Sequence, residues 1–416
     1  MNHWATWAIV AMATLGVITR PWRLPEWIWA VGGAFTLVAA QLMSVANACR
    51  AIANGTDVYL FLLGMMLLAE VAQHQGLFAW LAGRAAKLAR GSPYRLFWLI
   101  YLVGTIVTIF LSNDATAVVL TPAVAAVVKV MQVKRPLPYL YICAFVANAA
   151  SFVLPISNPA NLVIYGNRMP SLLEWVPRFA VPSALAIGAT FAMLRFTQRR
   201  ALNQPIADPA EMPVLTAGGH TAALGLGATA IGLLAASAAH LSLGLPTCIA
   251  GVVTTVVVLV TTRTSPVPVL RNVSWGVLAL VAGLFVLVGA LDQTGVVAAI
   301  ARMFDHAVDQ TGTGAVWLGG GLVAVACNLT NNLPAGLVMG SVLGAGHVPH
   351  GVTGAVLVGI DLGPNFSITG SLATVLWLQA LRREGHDVSA WTFLKLGVMV
   401  TVPALILALG SLILSR

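Results

Sequence analysis

Long apolar runs, each near the ~20 residues that carry a helix across a bilayer, recur along the whole of this 416-residue chain. In lipid every backbone N–H and C=O must be satisfied within the segment or its neighbours, which makes helices the default for such runs. Composition agrees, with 59% hydrophobic and 8% charged residues, where a soluble domain carries roughly a quarter charged. The expected fold class is therefore an all-α polytopic membrane protein embedded in the lipid bilayer. The net charge of +9 is spread in short groups between apolar runs, the pattern of cytoplasmic loops, so nucleic acid is not an expected partner. Cys49, Cys143, Cys248 and Cys327 have no paired spacing and offer neither a disulfide framework nor a zinc site.

Spans are expected near residues 4–19, 25–46, 57–75, 139–166, 179–195, 220–240, 246–262, 274–291, 351–379 and 391–413. Segments 76–90 and 292–310 read as amphipathic helices at the two interfaces. Basic clusters at "RAAKLARGSPYR" (Arg84 to Arg95) and "KVMQVKR" (Lys129 to Arg135) both belong on the cytoplasmic side. The apolar chain between them must then leave and return on one face. Split at Ser112–Asp114, it gives two arms of about 16 residues, each ~24 Å long, in a re-entrant hairpin over 96–131. This choice puts 17 of the 22 Lys and Arg inside, leaving Arg50, Arg168, Arg178, Arg302 and Arg416 outside. Both termini are then external.

The two halves resemble each other. "GMMLLAEVAQHQGLFAWLAGR" (Gly64 to Arg84) matches "GLFVLVGALDQTGVVAAIAR" (Gly283 to Arg302) at an offset of 219. "LSNDATA" matches "LTNNLPA", and "PISNPANLVIYG" matches "SITGSLATVLWL". The expected organisation is scaffold spans over 1–56, a first repeat over 57–199, a cytoplasmic linker over 200–219, scaffold spans over 220–273 and an inverted second repeat over 274–416. Each repeat holds a hairpin (96–131 and 312–345) and a broken helix (139–166 and 351–379). Paired Gly/Pro-interrupted segments in inverted halves point to a transporter's midplane site.

Candidate substrate contacts come from those four breaks: Ser112, Asn113, Asp114, Ser157, Asn158, Asn331, Asn332, Thr369, Gly370 and Ser371. Their hydroxyls, amides and freed backbone groups suit a small, oxygen-rich solute. Asp114 and Asp361 are the candidate proton-coupling groups, because burial disfavours a carboxylate's charge and lets it exchange a proton as exposure changes. The structural alternative is that each acid caps a helix N-terminus. Glu70 and His74, four apart on one helix, read as a relay or an interfacial pair; His347 and His350 lie in an outside turn. Gly319-Gly320-Gly321 reads as close helix packing. No GxxxxGK[ST] loop and no HExxH motif occurs, so neither an enzyme nor a cofactor is expected, and nothing fixes an oligomeric state.

"FLSNDATAVVLTPAV", "SFVLPISNPANLVIYG", "NNLPAGLVMGSV" and "VGIDLGPNFSITGSLATVLWLQAL" together resemble the ArsB-type arsenite efflux carriers of the ion transporter superfamily over nearly the whole chain. The resemblance implies export of arsenite and antimonite by alternating access, coupled to protons or energised by a separate arsenite-stimulated ATPase subunit. It also implies an elevator-type transport domain, carrying both hairpins, beside a scaffold domain. Sodium-coupled dicarboxylate carriers of the superfamily usually read Ser-Asn-Thr at both tips. Here the tips read Ser-Asn-Asp and Thr-Asn-Asn, which points away from sodium and dicarboxylates. The alternative is another carrier of the superfamily, a sodium/proton antiporter or an anion symporter.

Overall fold

The computed structural model describes residues 3–207, 213–346 and 348–414; His347, Arg416 and the middle of the 200–219 linker lie outside them. Among the described residues the chain is helical with no strand. The first half runs α1 (His3–Thr19), α2 (Glu26–Ala39), α3 (Val45–Asn54), α4 (Thr56–His74), α5 (Leu77–Ala89), α6 (Pro93–Leu111), α7 (Asn113–Ala115), α8 (Thr121–Val130), α9 (Leu137–Ala149), α10 (Pro159–Tyr165) and α11 (Leu172–Gln198). The second runs α12 (Ala217–Ala238), α13 (Gly244–Thr262), α14 (Val267–Asn272), α15 (Trp275–Gln293), α16 (Val296–Thr311), α17 (Gly314–Thr330), α18 (Asn332–Ala345), α19 (His350–Leu362), α20 (Leu372–Arg383) and α21 (Ala390–Leu414). Among the described residues, eight helical segments are long and apolar enough to cross a membrane.

Local chemistry sets the ends of these helices. Ser44, Ser92 and Thr216 each accept a backbone N–H from the first turn they precede, replacing a missing helical bond. Residues 113–130 form one continuous helix with a π-turn over Thr116–Leu120. Pro122 explains it: the ring lacks an N–H and crowds the carbonyl four residues back, so the preceding turn widens.

At Ser112 the chain doubles back. The Thr108 and Thr116 hydroxyls, each four residues from Ser112, share a hydrogen bond of 2.8 Å. A Cβ on Gly104 would touch Leu120, eight residues on the other side. Both ends of the pair reach one short segment: the Tyr94 hydroxyl bonds Asn203, and Ala207 N–H donates to Met131 O at 2.9 Å. The arms are 19 and 18 residues long, longer than the 16 read from the sequence, because helix persists on both sides right up to Ser112.

The second pair, α17 and α18, turns at Asn331 in the same manner. Phe304 of α16 faces Gly319 near the start of α17, and Val342 near the end of α18 packs with Val297 and Ala301 of α16. Ser112 and Asn331 both have positive φ (124° and 73°), as do Gly76 and Gly295 (74° and 80°); each couple is 219 positions apart. The pairs open toward opposite ends of α11. Residues 203–207, which hold the first, lie just past its C-terminus, whereas Arg168, which donates to Leu343 O near the end of the second, lies just before its N-terminus.

The heaviest helix packing falls in two sets, which also touch each other through α15 with α18 and α10 with α4. In one, α4 lies along α13, and α2 along α1 and α15; in the other, α11 lies along α21, α17 along α19, α10 along α18 and α6 along α9. The span expected over 25–46 is interrupted, with α2 ending at Ala39 and α3 starting at Val45.

Candidate functional site

The breaks in the two interrupted helices have local causes. Pro155 and Pro159 push Leu154 and Asn158 into extended backbone (φ −124° and −150°), as residues before proline prefer, and α9 cannot continue into α10. Between α19 and α20, Gly363–Phe366 form one 3-10 turn, after which Ser367 and Ser371 are extended. The helix starts pair Asn158 with Ser371. That corrects the sequence match by one residue, since a capping side chain marks a helix start more sharply than apolar similarity does.

The two broken helices are tied together in the interior. Asn158 Nδ2 donates to Asp361 Oδ1 at 2.6 Å, and Asn148 Nδ2 to Asn365 Oδ1 at 2.9 Å. Asn365 in turn donates to Phe145 O at 3.1 Å, and Trp377 Nε1 to Leu140 O at 2.8 Å. Asp361 and Asn365 are fully buried and Asn158 is 1% exposed, so this polar lattice is shielded on all sides. Asp361 Oδ2 has no hydrogen-bond partner among the described residues.

Both tips reach α20 or the turn that leads into it. Asn332 N–H donates to Gly370 O at 2.9 Å and Asn331 Nδ2 to Thr369 O at 3.4 Å. The first tip, residues 113–120, packs on α20 itself. The helix starting at Asn332 thus begins beside the N-terminus of α20, and the helix starting at Asn113 packs on the same α20; free N–H groups and positive dipole ends at such helix starts favour ligand oxygens. Asn331 and Thr369 also share a small cavity with Leu284 and the Arg20–Glu26 ion pair.

The side chains expected to bind substrate separate into two kinds. Ser157 donates to Ile109 O, Asn158 caps Ala160 while holding Asp361, and Ser371 caps Thr374; these groups are occupied. Gly370 contributes its carbonyl to Asn332. Asn331 caps Leu333, and the Thr369 hydroxyl bonds Asn328 O. The hydroxyl of Ser112, the side-chain amide of Asn332 and the carboxylate of Asp114 make no hydrogen bond or ion pair among the described residues, and Asn113 spends only its Oδ1, on Asp114 N–H. Asp114 is half-buried.

Sequence reasoning missed Asn148, Asn161, Asn328 and Asn365. Asn161 bonds three carbonyls of the 151–155 turn, and Asn328 accepts from Ser367 at 2.6 Å while donating to Gly363 O. Their signal was available, since an amide inside an apolar run needs a partner.

Other candidates have structural partners. Glu70 accepts from Asn272 of α14 at 2.8 Å instead of meeting His74. Cys143 and Cys327 are buried and unpaired, and no cluster of three metal-ligating side chains occurs among the described residues. Gly319 and Gly320 face α16 and α19, but a Cβ on Gly321 would point into open space.

Three comparisons bear on this arrangement. The family model CitMHS, described as citrate transporter, matches residues 10–360. The arsenical pump membrane protein of Escherichia coli (strain K12) is 26% identical over 426 residues, covering 98% of this chain and 97% of that protein. Its Yersinia enterocolitica namesake is 26% identical over 380 residues, covering 87% and 86%. An uncharacterized transporter of Mycobacterium tuberculosis (strain H37Rv) is 27% identical over 365 residues, covering 85% and 84%. Among solved structures, the Alcanivorax borkumensis YdaH transporter shares the fold at a TM-score of 0.57 and 17% identity, covering 87% of this chain and 86% of that one. Neisseria gonorrhoeae MtrF, from a class of antimetabolite efflux pumps, gives 0.56 and 14%, covering 91% and 83%.

Proposed function

The chain belongs to the CitMHS family of citrate transporters, a secondary carrier and not an enzyme, and we propose that it exports arsenite and antimonite by alternating access. The observation that carries this reading is the packing of both helix-pair tips on α20 and the turn that leads into it, with a carboxylate on one of them, Asp114, that has no partner among the described residues. Citrate carries up to three negative charges and calls for unpaired cations. No lysine or arginine belongs to the four breaks, and Arg20, which shares a cavity with Asn331 and Thr369, is already paired with Glu26. The carboxylate of Asp114, when ionised, would also repel a polyanion. Arsenous acid is largely neutral near pH 7 and presents three hydroxyls, which free amides, hydroxyls and helix N-termini can hold. Relatives named arsenical pump membrane protein over nearly the full length favour the same cargo.

Ser112, Asn113, Asp114 and Asn332 are the direct contacts in this mechanism, with Asn331, Thr369 and the Gly370 carbonyl shaping the pocket. Ser157, Asn158 and Ser371 hold the frame. Substrate and a proton compete at Asp114, and Asp361, held on one oxygen by Asn158, is the second proton-coupling group. A neutral cargo gains nothing from membrane potential, whereas one exchanged charge gains ~2.3 kcal/mol per 100 mV. A separate ATPase subunit is the alternative energy source.

The two tight-turned pairs are re-entrant hairpins of inverted repeats, supported by their opening toward opposite ends of α11 and by the shared 219-residue offset. The protein resides in the cytoplasmic membrane with both termini outside, a reading supported by the basic residues around the first pair's base. The test is arsenite uptake into everted vesicles under an imposed pH gradient without ATP. Wild type accumulates arsenite, and Asp114→Asn loses at least about tenfold of the driven uptake, one charge-assisted contact's worth. Retained driven uptake in Asp114→Asn rejects the coupling role; labelled-citrate counterflow without arsenite counterflow rejects the cargo.

A further inference from the structure

We propose a second binding site, for a phosphate-type oxyanion, at the N-terminal end of α11, built from Arg168, Arg178 and Tyr165 with His240 and His350 at its edge. These five side chains come from four places in the chain and line one cavity of about 450 Å³. Tyr165 closes α10, Gly166 turns the chain with a φ of 51°, and Arg168 follows. Arg178 stands on the second turn of α11, His350 opens α19, and His240 sits in the turn between α12 and α13. The site lies apart from the tips gathered at α20 and does not depend on which cargo the carrier moves.

The donors here are in excess. Tyr165 is 6% exposed, and neither its hydroxyl nor the buried Nη1 of Arg178 makes a well-formed hydrogen bond among the described residues. The phenol and the guanidinium lie side by side without a well-formed hydrogen bond between them. Arg168 gives one N–H to Leu343 O at 3.2 Å. Neither arginine is ion-paired among the described residues. Glu174 lines the same cavity, but its carboxylate is held by Ser171 N–H at 3.0 Å in a capping box. Asp305 stands behind Gly346 at the margin.

Buried donors without acceptors are rare and costly. Two guanidinium forks and a phenol O–H directed into one cavity match the several acceptor oxygens of a phosphate group. Either free phosphate or the phosphate of an anionic lipid headgroup presents those oxygens. The occupant would also join the two helix sets, since His240 belongs to the α12–α13 turn and the other four residues to the set containing α10, α11 and α19.

The experiment is titration of the purified full-length protein, first with inorganic phosphate and separately with short-chain phosphatidylglycerol, read by calorimetry and by the melting temperature. Saturable binding of at least one is expected. Arg178→Gln should weaken it at least about tenfold, and Tyr165→Phe severalfold, with the unliganded melting temperature little changed. Arg168 is exposed, so Arg168→Gln supplies a second reading should Arg178→Gln fail to fold. Binding of the lipid alone assigns the headgroup as the source; binding of phosphate alone assigns the free ion. Absence of binding by both, or binding that survives both arginine substitutions unchanged, overturns the site.

Discussion

Ser112 and Asn331 hold backbone conformations that residues with side chains rarely adopt, φ 124° and 73° with extended ψ. Such positions cost about 1–3 kcal/mol each and persist where the surroundings or the function require the side chain. Ser112→Gly should therefore raise thermal stability by about 1 kcal/mol while reducing arsenite counterflow. Full counterflow in the glycine variant would remove the Ser112 hydroxyl from the list of contacts. A second comparison separates frame from contact. Ser371→Ala should cost about 1 kcal/mol of stability through the lost cap and leave apparent arsenite affinity unchanged; Asn332→Ala should do the reverse. Competition binding and thermal unfolding on the same preparations decide it. All of these polar residues were legible in the sequence, because amides and hydroxyls inside apolar runs stand out. Their division of labour was not: whether Ser371 faces a ligand or its own helix depends on φ and ψ, which neighbouring letters leave open.

At the scale of helices, the contrast within Gly319-Gly320-Gly321 is instructive. A Cβ on Gly320 would press on Leu409 and the Ala355 carbonyl, while Gly321 has nothing within 4 Å. Gly320→Ala should thus destabilise by about 1–3 kcal/mol, the usual cost of overpacking. Gly321→Ala should be neutral or gain up to about 1 kcal/mol from helix propensity. Melting temperatures of the two variants in one detergent test this; equal losses would mean that α17 does not pack on α19 and α21 as described. The same close approach recurs where Gly64 of α4 meets Gly251 of α13. Most helices were legible from apolar runs and breakers such as Pro155, Pro159 and Pro364. The gap between α2 and α3 was not, since residues 40–44 contain no proline or glycine and the break follows from Gln41 taking φ 57°. Arm length around Ser112 was also misread, because a polar trio in lipid looks like a loop, whereas Asn113 and Asp114 already belong to the next helix.

For the molecule as a whole, the consequential question is whether the two helix sets move against each other. An open vestibule lies between them, with Leu60 of α4 on one wall and Ser341 of α18 on the other. Movement of one set past the other would change that distance in every cycle. A bifunctional maleimide joining Leu60→Cys to Ser341→Cys, in a background with the four native cysteines replaced, should arrest arsenite transport. Arsenite binding should survive, because no proposed contact is altered. The control pair, Leu67→Cys and Val269→Cys, lies within one apolar cluster of the α4 set, and cross-linking it should leave transport near wild type. If transport continues across the Leu60–Ser341 link, the sets do not slide, and substrate must reach Asp114 from each side by local opening of the tips. If both links arrest it, the scaffold flexes internally and the division into two bodies is wrong. Arrest by the first link alone is the outcome that a rigid scaffold and a moving, tip-bearing unit require.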